Sequence, residues 1–205
     1  NNKGVSLITE IKRASPSAGV ITNNFNHLNI AKNYVEFGAT CLSVLTEEKY
    51  FFGKLDYIED IKAMFNVPVL AKDFFIDPYQ VALSKSFGCD CILIIIAALN
   101  GKQADEIYSE ALKKDLSVIV EVHDHKEAEF ALKYDQAMIG INNRNLKTFD
   151  VNIETSLNLI NKIPSSFTKI SESGLNSSLE INKLKNHGFD GFLIGERFMK
   201  SQYPG

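Results

Sequence analysis

The chain has 205 residues, of which 45% are hydrophobic and 23% charged, and a formal net charge of −3. That balance suits one soluble domain with a sizeable core and argues against a nucleic-acid surface, which needs lysine and arginine clustered on one face. The longest apolar run, Ile92 to Leu99, is far short of the roughly 20 residues of a bilayer span, and no secretory signal is recognisable.

Short apolar runs then alternate with longer amphipathic ones from end to end. The first strand is predicted at Ser6 to Lys12, with Glu10 and Lys12 on one face, and Ser15-Pro16-Ser17 after it offers hydroxyl donors on a rigid turn. A helix at Ile30 to Phe37 stops at Gly38, and the second strand, Cys41 to Leu45, leads to Phe51-Phe52. After a helix at Tyr57 to Met64 the third strand, Pro68 to Lys72, ends on a charge and is followed by Phe74-Phe75. Both aromatic pairs can wall a pocket for a flat substrate or pack in the core. A helix at Tyr79 to Phe87 stops at Gly88, and the fourth strand covers Cys91 to Ile95. Cys89 and Cys91 read as core packing. Together with Cys41 they make neither an even disulfide framework nor a zinc spacing, which points to a reducing cytosol.

The second half continues the series. Beyond a helix at Ala104 to Lys114, the fifth strand, Ser117 to Val122, carries Glu121 and runs into His123-Asp124-His125. An H-x-H suggests a metal site, but only His27 and His187 remain to complete a ligand set, in or beside outer helices. His123 and His125 therefore read as loop residues, and Asp124 with Glu127 as a capping box. A helix at Ala128 to Tyr134 leads to the sixth strand, Ala137 to Ile141, past which Asn142 and Arg144 share parity. A helix at Ile153 to Ile160 precedes the seventh strand, Thr168 to Ser171, with Glu172 and Ser173-Gly174 next. Ser177 and Glu180 cap the helix Leu179 to Asn186, which stops at Gly188, and the eighth strand, Gly191 to Ile194, is followed by Gly195-Glu196.

Strict β/α alternation without a break in composition implies one domain over residues 1–205 with a parallel sheet. Eight units point to closure into a (β/α)8 barrel rather than an open doubly wound sheet. Such barrels usually take about 250 residues, so this one reads as a truncated chain without its final helix. Chemistry in a barrel sits where strands end. The six charges at strand ends, Glu10, Glu121 and Glu172 against Lys12, Lys72 and Arg144, make a shared polar pocket of three carboxylates facing three cations. A solvated rim or a structural ion-pair network is the plainer alternative. Ser15, Ser173-Gly174 and Gly195-Glu196 lie where such barrels hold a phosphate on backbone N–H groups and a short helix N-terminus.

These motifs coincide with a known family. Glu10-Ile11-Lys12-Arg13-Ala14-Ser15-Pro16-Ser17, Ser43 to Glu47, Lys72-Asp73-Phe74, Glu121-Val122-His123, Ile139 to Leu146 and Ser171-Glu172-Ser173-Gly174 each stand at a strand end, in order. From Val5 to Met199 the chain resembles the indole-3-glycerol phosphate synthases. The resemblance implies a cytoplasmic (β/α)8 carboxy-lyase of tryptophan biosynthesis. It would convert 1-(2-carboxyphenylamino)-1-deoxyribulose 5-phosphate to indole-3-glycerol phosphate without cofactor or metal. Carried over position by position, Lys72 would be the general acid, Glu121 the base, and Lys12 the partner of the substrate carboxylate. Glu10 and Glu172 would orient the lysines, and Asn142 and Arg144 would hold the sugar hydroxyls and carboxylate side. Ser15, Ser173, Gly174, Gly195 and the backbone of Glu196 would hold phosphate, and Phe51, Phe74 and Leu146 would enclose the ring.

Some features depart from the family pattern. Family members carry an extra segment, including a helix, before the first strand, and an eighth helix after the last. Ala18 stands where many have lysine, and Arg197-Phe198 where smaller residues are usual. The shortened ends suggest a piece of a longer parent, fused to or associated with other tryptophan-pathway enzymes. No nucleic-acid or membrane partner is expected, only a small phosphorylated substrate. Two rivals stay open: a phosphate-binding isomerase barrel such as phosphoribosylanthranilate isomerase, which needs a cysteine at the barrel mouth, and a barrel that binds the ligand without turning it over.

Overall fold

The computed structural model describes residues 5–22 and 24–200. Eight parallel strands, Ser6–Ile11, Cys41–Leu45, Val69–Lys72, Cys91–Ile95, Ser117–Val122, Met138–Asn142, Lys169–Glu172 and Gly191–Ile194, close into a barrel in sequence order. The first strand seals it, pairing Ser6 with Gly191 on one side and Ile8 with Cys41 on the other. Helices α1 (His27–Glu36), α2 (Asp56–Met64), α3 (Pro78–Ser86), α4 (Gly101–Lys113), α5 (His125–Ala131), α6 (Glu154–Leu159) and α7 (Ser178–Asn186) follow the first seven strands. The eighth is followed by a single helical turn, α8 (Glu196–Met199). A small antiparallel hairpin, Ala14–Ser15 with Gly19–Val20, projects after the first strand. None of the described helices is long and apolar enough to cross a membrane.

All eight predicted strands and seven predicted helices are present, displaced by a few residues at their ends. Six of the seven helices start early because their first turns are largely polar and carry little apolar rhythm. Asn100 caps α4 in a reciprocal box with Gln103, so the helix starts at Gly101, three residues ahead of the predicted start at Ala104. The box at Ser177 and Glu180 forms as expected. At α5 only half of it does: Asp124 accepts from the N–H groups of Lys126 and Glu127, both at 2.9 Å, but the Glu127 carboxylate turns to the N–H of His123 instead.

Side-chain alternation divides each strand between two cores. One parity packs against the helices, with Val44, Val69, Ala71, Ile92, Ile94, Val118, Val120, Ile139 and Ile141 all buried there. The other fills the barrel, where Ile8, Leu70, Cys91, Leu93, Ile119, Ile170 and Leu193 form an apolar plug. Two residues further along the same inward parity come Glu10, Lys72, Glu121 and Glu172. The plug is therefore the floor on which the charged layer stands.

The opposite pole is pinned by a recurring device. Gly38, Gly88 and Gly188 end α1, α3 and α7 in the left-handed region, at φ of 89°, 90° and 100°. Two residues later an acceptor side chain faces the start of the neighbouring strand. Thr40 Oγ1 accepts from Leu7 N at 2.7 Å, Asp90 Oδ2 from Val69 N at 2.8 Å, and Asp190 Oδ2 from Lys169 N at 2.9 Å. Asp90 also holds Lys62 at 2.8 Å. Replacing Asp90 or Asp190 by alanine orphans a strand N–H, so each change should cost about 1–3 kcal/mol. Urea unfolding monitored by circular dichroism measures this, and a wild-type midpoint in both variants would refute the role.

Candidate active site

A cavity of about 1140 Å³ opens at the carboxyl ends of the strands, and all fifteen residues expected for the site line it. Its deepest part is charged. Lys72 Nζ stands 3.0 Å from Glu172 Oε2 and 3.5 Å from Glu121 Oε2, while Lys12 Nζ donates to Glu10 Oε1. Glu10, Glu121 and Glu172 are 4%, 2% and 1% exposed, so each carboxylate must find its compensation inside the protein. Asn142 Nδ2 donates to Glu121 Oε1 at 3.1 Å, and its Oδ1 accepts from Arg144 N.

Two glycines make room for this cluster. A Cβ on Gly140 would stand 2.2 Å from Glu172 Oε1, and one on Gly195 2.4 Å from Glu10 Oε1. The bare backbone of the sixth strand and of the turn after the eighth is thus where two carboxylates lie. For Gly195 this is a reason distinct from the phosphate contact that the sequence suggests.

Burial and charge act against each other on every group. Burial pushes Glu10 up, but Lys12 and Lys72 outweigh it and leave the carboxyl below its ordinary range. Glu121 is likewise driven up by burial and then carried well down by Lys72, His123 and Asn142. For Glu172 burial wins: Lys72 offsets it only in part and Glu121 adds repulsion, so this carboxyl is held above its ordinary range. Lys72 loses by burial and gains more from Glu172, Glu121 and Glu10, which keep it firmly protonated.

One expectation needs correction. Arg144 does not face the inner carboxylates; its Nη2 is 3.0 Å from Glu196 Oε2, and its Nη1 reaches the carbonyl of Phe149 at 3.2 Å. The Glu196 side chain, expected only as backbone, also pairs with Lys200 at 2.6 Å. The inner layer therefore holds three carboxylates and two ammonium groups, with His123 Nε2 3.2 Å from Glu121 Oε1.

At the rim, Ser15 Oγ accepts from Ala18 N at 3.2 Å and lies 3.4 Å from Ser17 Oγ across the hairpin turn. Ser173 and Gly174 are both left-handed, at φ of 66° and 74°, where glycine is at ease and serine is strained. A Cβ at Gly174 would strike Val151 at 2.3 Å. Phe51 and Phe74 meet with ring centroids 6.3 Å apart, and Leu146 lines the cavity with them. Phe75, by contrast, is in the core.

Three supporting side chains carry no role in the sequence reading. The Glu47 carboxylate accepts the N–H groups of Lys49, Tyr50 and Phe51, holding the loop that presents Phe51. Asn143 has the opposite parity to Asn142 and points away from the cavity. It donates to Ser171 Oγ and to the carbonyl of the left-handed Ser173, and it accepts from Ser156 N. His123 lies between Glu121 and Glu127 rather than among metal ligands. Among the described residues no group of three or more His, Cys, Asp or Glu is arranged to hold a metal ion. The cysteines sit at the far pole or behind the sheet, at the start of the second and fourth strands and beside α3. The isomerase alternative therefore lacks its cysteine at the mouth.

The family model for indole-3-glycerol phosphate synthase matches residues 1–204. The indole-3-glycerol phosphate synthase of Polaromonas naphthalenivorans (strain CJ2) is 45% identical over 200 residues, 98% of this chain and 76% of that protein. That of Acidovorax sp. (strain JS42) is 44% identical over 203 residues, 97% of this chain and 76% of the relative. Among solved structures, a 3-hexulose-6-phosphate synthase superposes with a TM-score of 0.76 at 15% identity, covering 97% of this chain and 94% of that one. An N-acetylmannosamine-6-phosphate 2-epimerase from Clostridium perfringens gives 0.71 at 14% identity, covering 94% and 86%. These two likenesses bear on the barrel alone. The chain belongs to the indole-3-glycerol phosphate synthase family and is a carboxy-lyase of tryptophan biosynthesis.

Gly140→Ala tests the seating of Glu172. The new methyl should keep the barrel folded, by far-UV circular dichroism, but push Glu172 away from Lys72. Carboxyl-carbon NMR should then show Glu172 titrating still further above the ordinary carboxylate range, because the cation that offsets its burial is weakened; an unchanged titration would contradict this seating.

Proposed function

We propose that Lys72 and Glu121 carry the acid and base steps by which this enzyme turns 1-(2-carboxyphenylamino)-1-deoxyribulose 5-phosphate into indole-3-glycerol phosphate, carbon dioxide and water. The observation that supports this most is the buried ammonium of Lys72, set between Glu172 and Glu121 at the bottom of the cavity.

Ring closure joins the carboxylate-bearing aromatic carbon to the ketone carbon, and an acid that protonates the ketone oxygen strengthens the electrophile. Lys72 is fitted to be that acid because its three carboxylate neighbours keep it charged. A substrate oxygen that displaces Glu121 from Lys72 leaves the ammonium still held by Glu172 at 3.0 Å. Carbon dioxide then leaves and the aromatic sextet returns. The new hydroxyl departs as water with a second proton from Lys72, for which Glu172, kept near its protonated form by burial, is an adjacent source. Glu121, on the neighbouring face, removes the last ring proton to complete the indole.

The rest of the cavity follows the substrate's shape in this reading. Lys12, steadied by Glu10, meets the ring carboxylate until it is lost. Phe51, Phe74 and Leu146 flank the ring, and Asn142 and Arg144 take the sugar hydroxyls and the carboxylate side. Ser15, Ser173-Gly174 and the turn Gly195-Glu196 receive the phosphate, since consecutive N–H groups and a helix start favour an anion. The cytoplasm is the proposed compartment, supported by three unpaired cysteines.

Lys72→Ala and Glu121→Gln should each keep the fold yet lose about 10²- to 10⁴-fold in turnover. Indole fluorescence after adding the carboxyphenylamino substrate reads this directly. Near-normal turnover in both variants would sink the assignment, and saturable binding without any new emitter in the wild type would mark a binder.

A further inference from the structure

We infer that His123 is a positioning residue for Glu121: clamped as an imidazolium between Glu127 and Glu121, it places a positive charge beside the carboxylate oxygen that Lys72 does not contact. The inference rests on the proposal that Glu121 is the base.

The clamp is built from two directions. Glu127 Oε2 takes both the His123 backbone N–H at 2.8 Å and the ring Nδ1 at 3.0 Å, which fixes the ring on the loop between the fifth strand and α5. The other ring nitrogen, Nε2, stands 3.2 Å from Glu121 Oε1. A ring with carboxylates at both nitrogens suits the doubly protonated form, because a neutral imidazole would aim a lone pair at one of them. At that distance the ring lowers the Glu121 carboxyl through hydrogen bonding and charge together.

The ammonium groups of Lys12 and Lys72 reach one oxygen of Glu10 and one of Glu121, while Arg144 is taken by Glu196. With His123 in place, each oxygen of Glu121 has its own cation: Lys72 at Oε2 and the imidazolium at Oε1. His123 does not line the cavity, so it acts through Glu121 and not on substrate. The charged groups facing the ring are Glu121 from the strand and Glu127 from α5. Burial pulls the imidazole down, and these two carboxylates then raise it to about 9. The ring is therefore charged through neutrality and loses its proton as pH rises through that value.

The test uses the full chain, with 15N-imidazole NMR and the pH dependence of kcat in the wild type, His123→Asn, Glu127→Gln and Glu121→Gln. In the wild type His123 should titrate near 9. In Glu127→Gln its midpoint should fall toward the ordinary histidine value of about 6.5, and the alkaline limb of kcat should follow it down. His123→Asn removes a cation from Glu121, so the acidic limb should move up by about one pH unit with little change in KM. Unmoved limbs in both variants, with only a loss of stability, would make His123 a structural residue and overturn the inference. Should His123→Asn fail to fold, the wild-type titration and Glu127→Gln still decide it. Full turnover in Glu121→Gln would instead remove the base assignment on which the inference stands.

Discussion

The ion pairs of Lys72 with Glu172 and Glu121 are the interaction to which the rest of this barrel answers. A carboxylate nine-tenths or more out of water is costly unless a partner stands beside it, and three such groups converge here. The ammonium cannot satisfy all of them, and the shortfall shows as opposite displacements. Glu121 is kept ionised, whereas Glu172 is biased toward its acid form. Two chemically identical side chains on strands two apart are thereby made unlike, as an acid–base sequence demands.

This differentiation is possible because of what lies beneath. The plug of Leu70, Leu93, Ile119, Ile170 and Leu193 seals the barrel just under the charges, so water reaches them only from the mouth and their mutual fields stay strong. The seats at Gly140 and Gly195 bring Glu172 and Glu10 against bare backbone, a placement that any side chain at those positions would prevent. Burial, pairing and steric room therefore form one arrangement.

Much of this was legible beforehand, for a specific physical reason. A charge two residues past an inward apolar residue, as Glu121 follows Ile119 and Glu172 follows Ile170, is visible in period-two alternation alone, and a barrel carries all such charges to one mouth. The pattern of six charges at five strand ends thus pointed to residues that line the cavity. Partner choice was not legible. Whether Arg144 meets the inner carboxylates or Glu196 depends on the path of loop 145–153, and the seat at Gly140 depends on a neighbouring strand's register. Asn143 was hidden because outward parity reads as core, and His123 because a histidine after a strand end looks like a loop residue until Glu127 is seen to turn away from its cap. Helix starts were misplaced for a related reason, since caps such as Asn100 are polar signals outside the apolar rhythm.

The side chains of Thr40, Asp90 and Asp190 lie at the pole farthest from the chemistry, yet they help fix how the first, third and seventh strands are staggered against their neighbours. A slip of one residue in any strand would exchange its inward and outward faces. At the third strand it would withdraw Lys72 from its place and put Ala71 or Asp73 there. These distant acceptors function as alignment pins: the identity of the groups that meet around the substrate depends on contacts made where the strands begin.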